Sequence, residues 1–195
     1  MSLRYALLAL LSVEPMTGYD LLKQFEASVG YVWHAPDSQI YPALRQMEKD
    51  GLLEGEEVTW GQRGKKRRYR ITPLGLTAFR QWMNTPLEYS RERDPAHLKA
   101  AYLEWAEPDA ARAQMTAHLE HYAERLLQWQ LKVEEIENGT SEMLVKRLAT
   151  LPPSERPRAT AFKKFTYEGL IGRAQQEIAW ARHGLALIDE LYPEG

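Results

Sequence analysis

The chain has no cysteine among its 195 residues, which removes disulfides, thiolate nucleophiles and any zinc site built on sulfur. It also lacks any run of apolar residues long enough to span a bilayer. Its apolar opening, MSLRYALLALLSVEP, is short, closes at Glu14-Pro15 and carries no small-residue cleavage site. These absences point to a soluble, cytoplasmic protein with no membrane partner. No G-x-S-x-G, phosphate-binding loop or dinucleotide-binding glycine pattern is present, so no catalytic residue, cofactor or metal is assigned. The one pair with ligand spacing is His118-x-x-His121, beside Glu120 and Glu124. Without a third ligand the plain reading is two exposed positions next to an apolar seam; the alternative is a metal-dependent enzyme.

What is present is ordinary for a globular protein, with 44% apolar and 27% charged residues, but the charge is uneven. Residues 1–85 hold 11 Lys+Arg against 9 Asp+Glu, or +2; residues 86–195 hold 14 against 18, or −4. The stretch PLEYSRERDP (86–95), with a proline at each end, is the expected joint between domains 1–85 and 86–195. Against a formal net charge of −2, the segment WGQRGKKRRYRIT (60–72) gathers Arg63, Lys65, Lys66, Arg67, Arg68 and Arg70. Either it is a footprint for a polyanion, or it is a solvated edge that keeps a strand soluble.

The surroundings decide between these. Leu3, Leu7, Leu10 and Leu11 recur at helical spacing until Pro15. Thr17, with Asp20 three residues on, opens a second helix with Tyr19, Leu22, Phe25 and Val29 as its apolar face and Gly30 at its end. A third helix starts near Asp37 or Ser38, either of which can cap it, and ends at Gly51 in a left-handed cap. Pro42 is expected near its first turn. Ile40, Leu44 and Met47 form its inward stripe, whereas Gln39, Tyr41, Arg45 and Lys49 fall elsewhere on its surface. Val58 and Trp60, then Tyr69 and Ile71, alternate about the turn residues GQRG (61–64), which predicts a β-hairpin. Thr72-Pro73 restarts a helix, with Leu76, Phe79 and Trp82 or Met83 apolar. Helix, helix, helix, hairpin, helix is the order of a winged helix-turn-helix.

PMTGYDLLKQFE resembles the second-helix segment of the PadR family of transcriptional regulators. SQIYPALRQMEKDGLLE is similar to that family's recognition helix, and RGKKRRYRITPLG to its basic wing. Trp33 also fits a common form of the family, and Gly18 suits close packing at the start of the second helix. The resemblance covers most of residues 3–83, in order. It implies that Ser38, Gln39, Tyr41, Pro42, Arg45 and Lys49 meet duplex DNA from the third helix, with Arg63, Lys65, Lys66, Arg67 and Arg68 meeting it from the wing.

In the second half, Asp94-Pro95 opens a helix expected to reach Ala106, with Leu98, Ala101, Tyr102 and Trp105 apolar. A second, from Glu107-Pro108 to Asn138-Gly139, carries Met115, Leu119, Tyr122, Leu126, Trp129, Val133 and Ile136 at alternating spacings of four and three, a heptad seam. A short helix is expected around Met143–Leu148, followed by a proline-rich turn. The last helix, about 159–191, repeats the pattern through Tyr167, Ile171, Ala174, Ile178, Ala181, Leu185, Ile188 and Tyr192, widened by Leu170, Trp180, Leu187 and Leu191. Two readings stand: helices interlocked between two subunits, or a coiled-coil hairpin within one chain. The resemblance implies the first, with Met115, Leu119, Tyr122, Leu126, Trp129, Ile171, Ile178, Trp180, Leu185 and Ile188 at a homodimer interface. Trp105 and Trp129 are candidates to line a pocket between subunits for a small apolar or aromatic effector.

The expected fold is therefore mainly α with a small β-hairpin wing: an N-terminal winged helix-turn-helix and a C-terminal, coiled-coil-like dimerisation domain. The expected function is a sequence-specific DNA-binding regulator, a repressor bound to a palindromic promoter site as a homodimer. A winged-helix adaptor that binds protein instead of DNA is the rival from another class.

Overall fold

The structure, a computed structural model, describes residues 2–30, 32, 36–60, 64–89 and 93–193. It divides into two compact units, Met1–Glu88 and Tyr89–Gly195.

In the first unit, helix α1 (Ser2–Leu11) turns Leu7, Leu8, Leu10 and Leu11 into the core. Beyond Pro15, Met16 and Thr17 pair with a later strand as β1, an element too short to leave a periodic trace in the sequence. Thr17 then caps α2 (Gly18–Gln24). Its hydroxyl accepts from the Asp20 N–H at 3.2 Å and donates to the Asp20 carboxylate at 2.7 Å. The buried stripe of α2 differs from the expected one. Gly18, Leu21 and Phe25, spaced i, i+3, i+7, face inward, Leu22 is half-buried and Tyr19 is 57% exposed. Nor does Gly30 adopt a left-handed cap: a wider, π-helical turn over Phe25–Val29 hands the Gly30 N–H to the Phe25 carbonyl, and its φ stays at −58°.

Helix α3 (Asp37–Lys49) buries Ile40, Leu44 and Met47. Pro36, not Asp37 or Ser38, stands at its N-cap, and no side chain caps it. Pro42 lies in the second turn instead of the first, where it removes the helical hydrogen bond to Ser38; both residues are exposed, so water can replace it. The helix closes as expected on Gly51 at φ +73°. The Gly51 N–H bonds the Glu48 carbonyl at 3.0 Å and the Leu52 N–H bonds the Met47 carbonyl at 2.9 Å, the two bonds of a Schellman motif.

Strands β2 (Leu53–Trp60) and β3 (Gly64–Ile71) pair antiparallel from Leu53↔Ile71 to Trp60↔Gly64, and β1 adds to the other edge of β3, giving the order β1-β3-β2. Residues 61–63 of the expected turn, Arg63 among them, and Trp33 lie outside the described residues. Thr72 ties the hairpin back to α3. It donates to the Gly51 carbonyl at 2.7 Å and accepts from the Gly75 N–H at 3.0 Å, capping α4 (Pro73–Met83). The Tyr5 ring of α1 stacks on Trp82 of α4 with centroids 4.7 Å apart.

In the second unit, Asp94 caps α5 (Pro95–Ala100) by accepting from the Ala96 and His97 N–H groups. The helix stops well short of Ala106, and Leu103–Trp105 form a 3₁₀ turn. Six residues are too few to lay down the expected apolar face: Leu98, Tyr102 and Trp105 are all exposed. Helices α6 (Pro108–Glu137), α7 (Glu142–Thr150) and α8 (Arg156–Leu191) follow. Helix α8 begins at Arg156 because Pro157 is accommodated in its first turn.

Helices α6 and α8 run antiparallel, with Arg112 paired to Asp189 at 2.9 Å, His118 to Glu177 at 3.1 Å, and Lys164 to Glu137. Between them Met115, Trp129 and Ile136 are buried with Tyr167, Ala174, Ile178, Ala181 and Ile188. The two heptad stripes therefore close on each other within one chain. Met115, Trp129, Ile178 and Ile188, expected at a subunit interface, are buried within the chain itself. Leu119, Tyr122, Leu126, Ile171, Trp180 and Leu185 are half-buried. Among the described residues no helix is long and apolar enough to cross a membrane.

Truncating Ile178 to Ala leaves a cavity in the α6–α8 seam and is expected to destabilise the second unit by about 3 kcal/mol. Arg182→Ala, one turn on and exposed, is expected to change stability by about 0.5 kcal/mol or less. Denaturant melts followed by circular dichroism check both.

Candidate nucleic-acid interface

Helix α3 exposes Ser38, Gln39, Tyr41, Pro42, Arg45 and Lys49. These are the residues that its buried Ile40–Leu44–Met47 stripe forces outward, because three or four residues per turn separate the two faces. The Tyr41 ring lies directly over the start of α2, where a Cβ on Gly18 would come within 2.6 Å of Tyr41 Cε1. That contact orients a ring that is 42% exposed.

The basic run does not act as one patch, because strand side chains alternate between faces. Lys65 and Arg67 share the face of Tyr69 and Ile71, the one that continues from the core; Lys66, Arg68 and Arg70 share the opposite face. Arg67 joins Tyr41, Arg45, Glu48, Lys49 and Tyr69 around an open groove of about 540 Å³ between α3 and β3. Helix α3 and the wing thus supply three cations, two phenols and a carboxylate to one concavity.

Strand β2 adds what the sequence reading missed. Glu54, Glu56 and Glu57 stand opposite the cations in register. Arg68 Nε donates to Glu56 Oε1 at 2.7 Å, Lys65 Nζ to Glu57 Oε2 at 2.8 Å, and Arg70 pairs with Glu54. Lys66 Nζ lies 5.0 Å from the centroid of the Tyr19 ring. Over residues 53–71, six Lys/Arg against three Glu leave +3, half the charge that the basic run alone suggests. The signal was in the sequence: Glu54-x-Glu56 and Arg68-x-Arg70 have the same two-residue spacing on facing strands. These exposed pairs are worth little each, so phosphate oxygens can displace them.

Glu48 is the other residue missed. Its Oε2 accepts from Arg67 Nε at 3.1 Å, and its Oε1 accepts from Arg67 Nη2 and from the Gly55 N–H, the last at 3.1 Å. The Arg67 hydrogen bond holds the Glu48 carboxyl below its ordinary range, against a smaller opposing effect of burial. Burial raises the Tyr69 phenol, and the Glu48 bond raises Arg67 further above the usual guanidinium value.

The two histidines at ligand spacing have neighbours of other kinds. His118 meets Glu177 and packs edge-on against Trp180, and His121 packs against Tyr122. Among the described residues no group of three or more His, Cys, Asp or Glu is placed to hold a metal ion. Trp105 borders a shallow recess of about 310 Å³ with Leu98, Lys99, Tyr102, Leu103, Ala106 and Gln114, whereas Trp129 is buried in the seam, so within one chain the two tryptophans do not share a pocket.

Residues 7–81 match the Transcriptional regulator PadR-like family, and residues 92–189 match a family described as Virulence activator alpha C-term. The chain is 23% identical over 194 residues to the Negative transcriptional regulator PadR of Bacillus subtilis, covering 96% of this chain and 98% of that protein. The crystal structure of Bacillus subtilis PadR in complex with operator DNA superposes with a TM-score of 0.74 at 22% identity, over 96% of this chain and 97% of that one. The Vibrio cholerae virulence activator AphA superposes with a TM-score of 0.68 at 26% identity, over 98% and 100%.

The lowered carboxyl of Glu48 gives the wing a pH dependence of known sign. A carboxylate with a depressed folded pKa adds stability that is whole above its unfolded value, near the ordinary 4.5, and is lost as pH falls through the folded value. Carbon-detected NMR titration should place the Glu48 midpoint below 4.5, with faster exchange of the Gly55 amide once that midpoint is crossed. Glu48→Gln should abolish this step.

Proposed function

This chain belongs to the PadR-like family of transcriptional regulators, and from that premise we propose that it represses transcription as a homodimer bound to a palindromic promoter site. The observation that carries the reading is the single groove onto which the exposed face of α3 and the Arg67 edge of β3 both open. Helix α3 enters the major groove. Gln39, Tyr41 and Arg45 reach base edges, Ser38, Pro42 and Lys49 flank them, and Lys65, Lys66, Arg67 and Arg68 meet the backbone. The operator complex of the Bacillus subtilis protein, which shares this fold, supports duplex DNA as the partner, and that protein's description as a negative regulator supports repression.

Homodimerisation is supported by apolar surface that the second unit leaves outside its own core. Leu127 and Leu131 on α6, Val145 on α7, and Phe162 and Phe165 on α8 are all about half exposed or more. Half-buried Leu119, Tyr122, Leu126, Ile171, Trp180 and Leu185 extend that surface. A two-fold interface repeats one half-site as two, about one helical turn apart. A small apolar or aromatic effector would meet the recess edged by Leu98, Tyr102 and Trp105, and would act by shifting the population of DNA-competent dimers.

Changing Lys65, Lys66, Arg67 and Arg68 together to Ala is expected to abolish duplex binding in a gel shift while light scattering still finds a dimer. Unchanged binding would favour the adaptor reading, in which the wing is bystander surface. With about 8 phosphates neutralised per dimer, the wild-type log–log salt slope should be near −7. Tyr41→Ala or Arg45→Ala should cost discrimination between the preferred duplex and a scrambled one by about tenfold, more than it costs total affinity.

A further inference from the structure

Glu48 stands against one local rule: it is the penultimate residue of α3, at the negative end of the helix dipole, where a carboxylate is disfavoured, although the groove around it holds Arg45, Lys49 and Arg67. A residue that breaks a local rule is expected to be held by something else, and here three hydrogen bonds hold it. Two come from the Arg67 guanidinium in β3 and one from the Gly55 N–H in β2. Glu48 is thereby bonded to both strands of the hairpin from the helix proposed to read bases.

We propose that Glu48 is a positioning residue for DNA readout: its carboxylate clasps the hairpin to α3 and sets where Arg67 stands beside Arg45 and Lys49. The inference rests on the DNA-binding reading above and adds a role for a residue that reading leaves out. Only two of Arg67's five N–H donors are taken up by Glu48, so the clasp orients the guanidinium without exhausting it. It also fixes the spacing between a backbone-contacting cation and the base-contacting face of α3. That spacing has to match the duplex if the two kinds of contact are to form together.

Gly55 is the third part of the device. A Cβ at that position would lie 2.6 Å from Glu48 Oε1 and closer still to Arg67 Nε. Any larger residue must therefore displace one arm of the clasp, even though no charge is altered. This gives two independent ways to break it: removing the carboxylate's charge with Glu48→Gln, or wedging the pair apart with Gly55→Ala.

The test uses the full-length protein, the duplex that the wild type enriches from a random-sequence library, and a scrambled duplex of equal length. Glu48→Gln and Gly55→Ala should each lower the preference for the enriched duplex by about tenfold. Affinity for the scrambled duplex should stay within about twofold of wild type, or rise for Glu48→Gln because Arg67 is released to phosphate. Thermal midpoints should stay within a few degrees, and Gly55 amide exchange should accelerate in Glu48→Gln. A folded Glu48→Gln variant with wild-type preference overturns the proposal, as does a parallel loss on both duplexes, which marks a merely structural role. Should Gly55→Ala fail to fold, Glu48→Gln decides alone. If the wild type enriches no duplex, the DNA-binding reading falls, and the clasp as a readout device falls with it. That outcome is distinct from a wild type that selects DNA and a Glu48→Gln variant that selects it equally well.

Discussion

The close of α3 at Gly51 is the constraint on which the geometry of the first unit depends. A helix must end in a way that satisfies its last carbonyls, and the left-handed residue at Gly51 does so while reversing the chain into β2 within two residues. Leu52 and Leu53 are pulled into the core by that reversal. Thr72, returning from the far end of the hairpin, bonds the Gly51 carbonyl and so fastens both ends of the wing to one turn. Because helix end, strand start and strand finish share this point, the angle between α3 and the hairpin is a local property of some twenty residues. A concavity between them is the result, and the chemistry of its walls follows from which side chains the two periodicities aim into it.

Electrostatics refines that picture. A run of four adjacent cations suggests a dense positive tip, but a strand spends alternate residues on opposite faces, and β2 answers with carboxylates in register. The wing is thus a modestly positive surface whose described cations already have weak partners. For a protein with a formal net charge of −2, this arrangement favours contacts that are exchanged over contacts that are simply gained. An arginine leaving an exposed glutamate for a phosphate recovers a stronger, charge-assisted bond. The same arginine facing an ill-fitting surface has less reason to let go. Moderated charge of this kind serves selectivity more than raw affinity.

Much of this was legible beforehand where a strong local rule operated without competition. Thr17 with Asp20, Thr72 with Pro73, Asp94 with Pro95 and Gly51 all announce element boundaries through the hydrogen-bonding needs of helix ends, and each is realised. The stripes of α3, α6 and α8 were likewise readable, because long amphipathic helices repeat their message. What failed was short or cooperative. The two residues of β1 exist only because β3 offers an edge; α5 is too brief for periodicity to bind it; and the π-helical turn at Phe25 supplied Gly30 with a partner no propensity rule anticipates. At the candidate interface, the cations were evident from composition, whereas Glu48 was not, and the β2 glutamates left only a spacing matched to that of the facing strand. Their role depends on register and on which helix passes over which strand, and these are tertiary facts.

The second unit shows the limit of periodicity as a guide to assembly. A heptad stripe states that a helix has a partner but not whose. Here α6 and α8 satisfy each other, with Met115 against Ile188 near one end and ion pairs at both, so the narrow seam is spent within the chain. The apolar surface that remains is of another kind: large side chains such as Phe162, Phe165 and Leu127, set outside the strict seam. A helix whose apolar arc is wider than one stripe calls for a second covering layer, which the seam between α6 and α8 alone does not supply. The width of the arc, more than its period, is therefore the feature of these helices that bears on assembly.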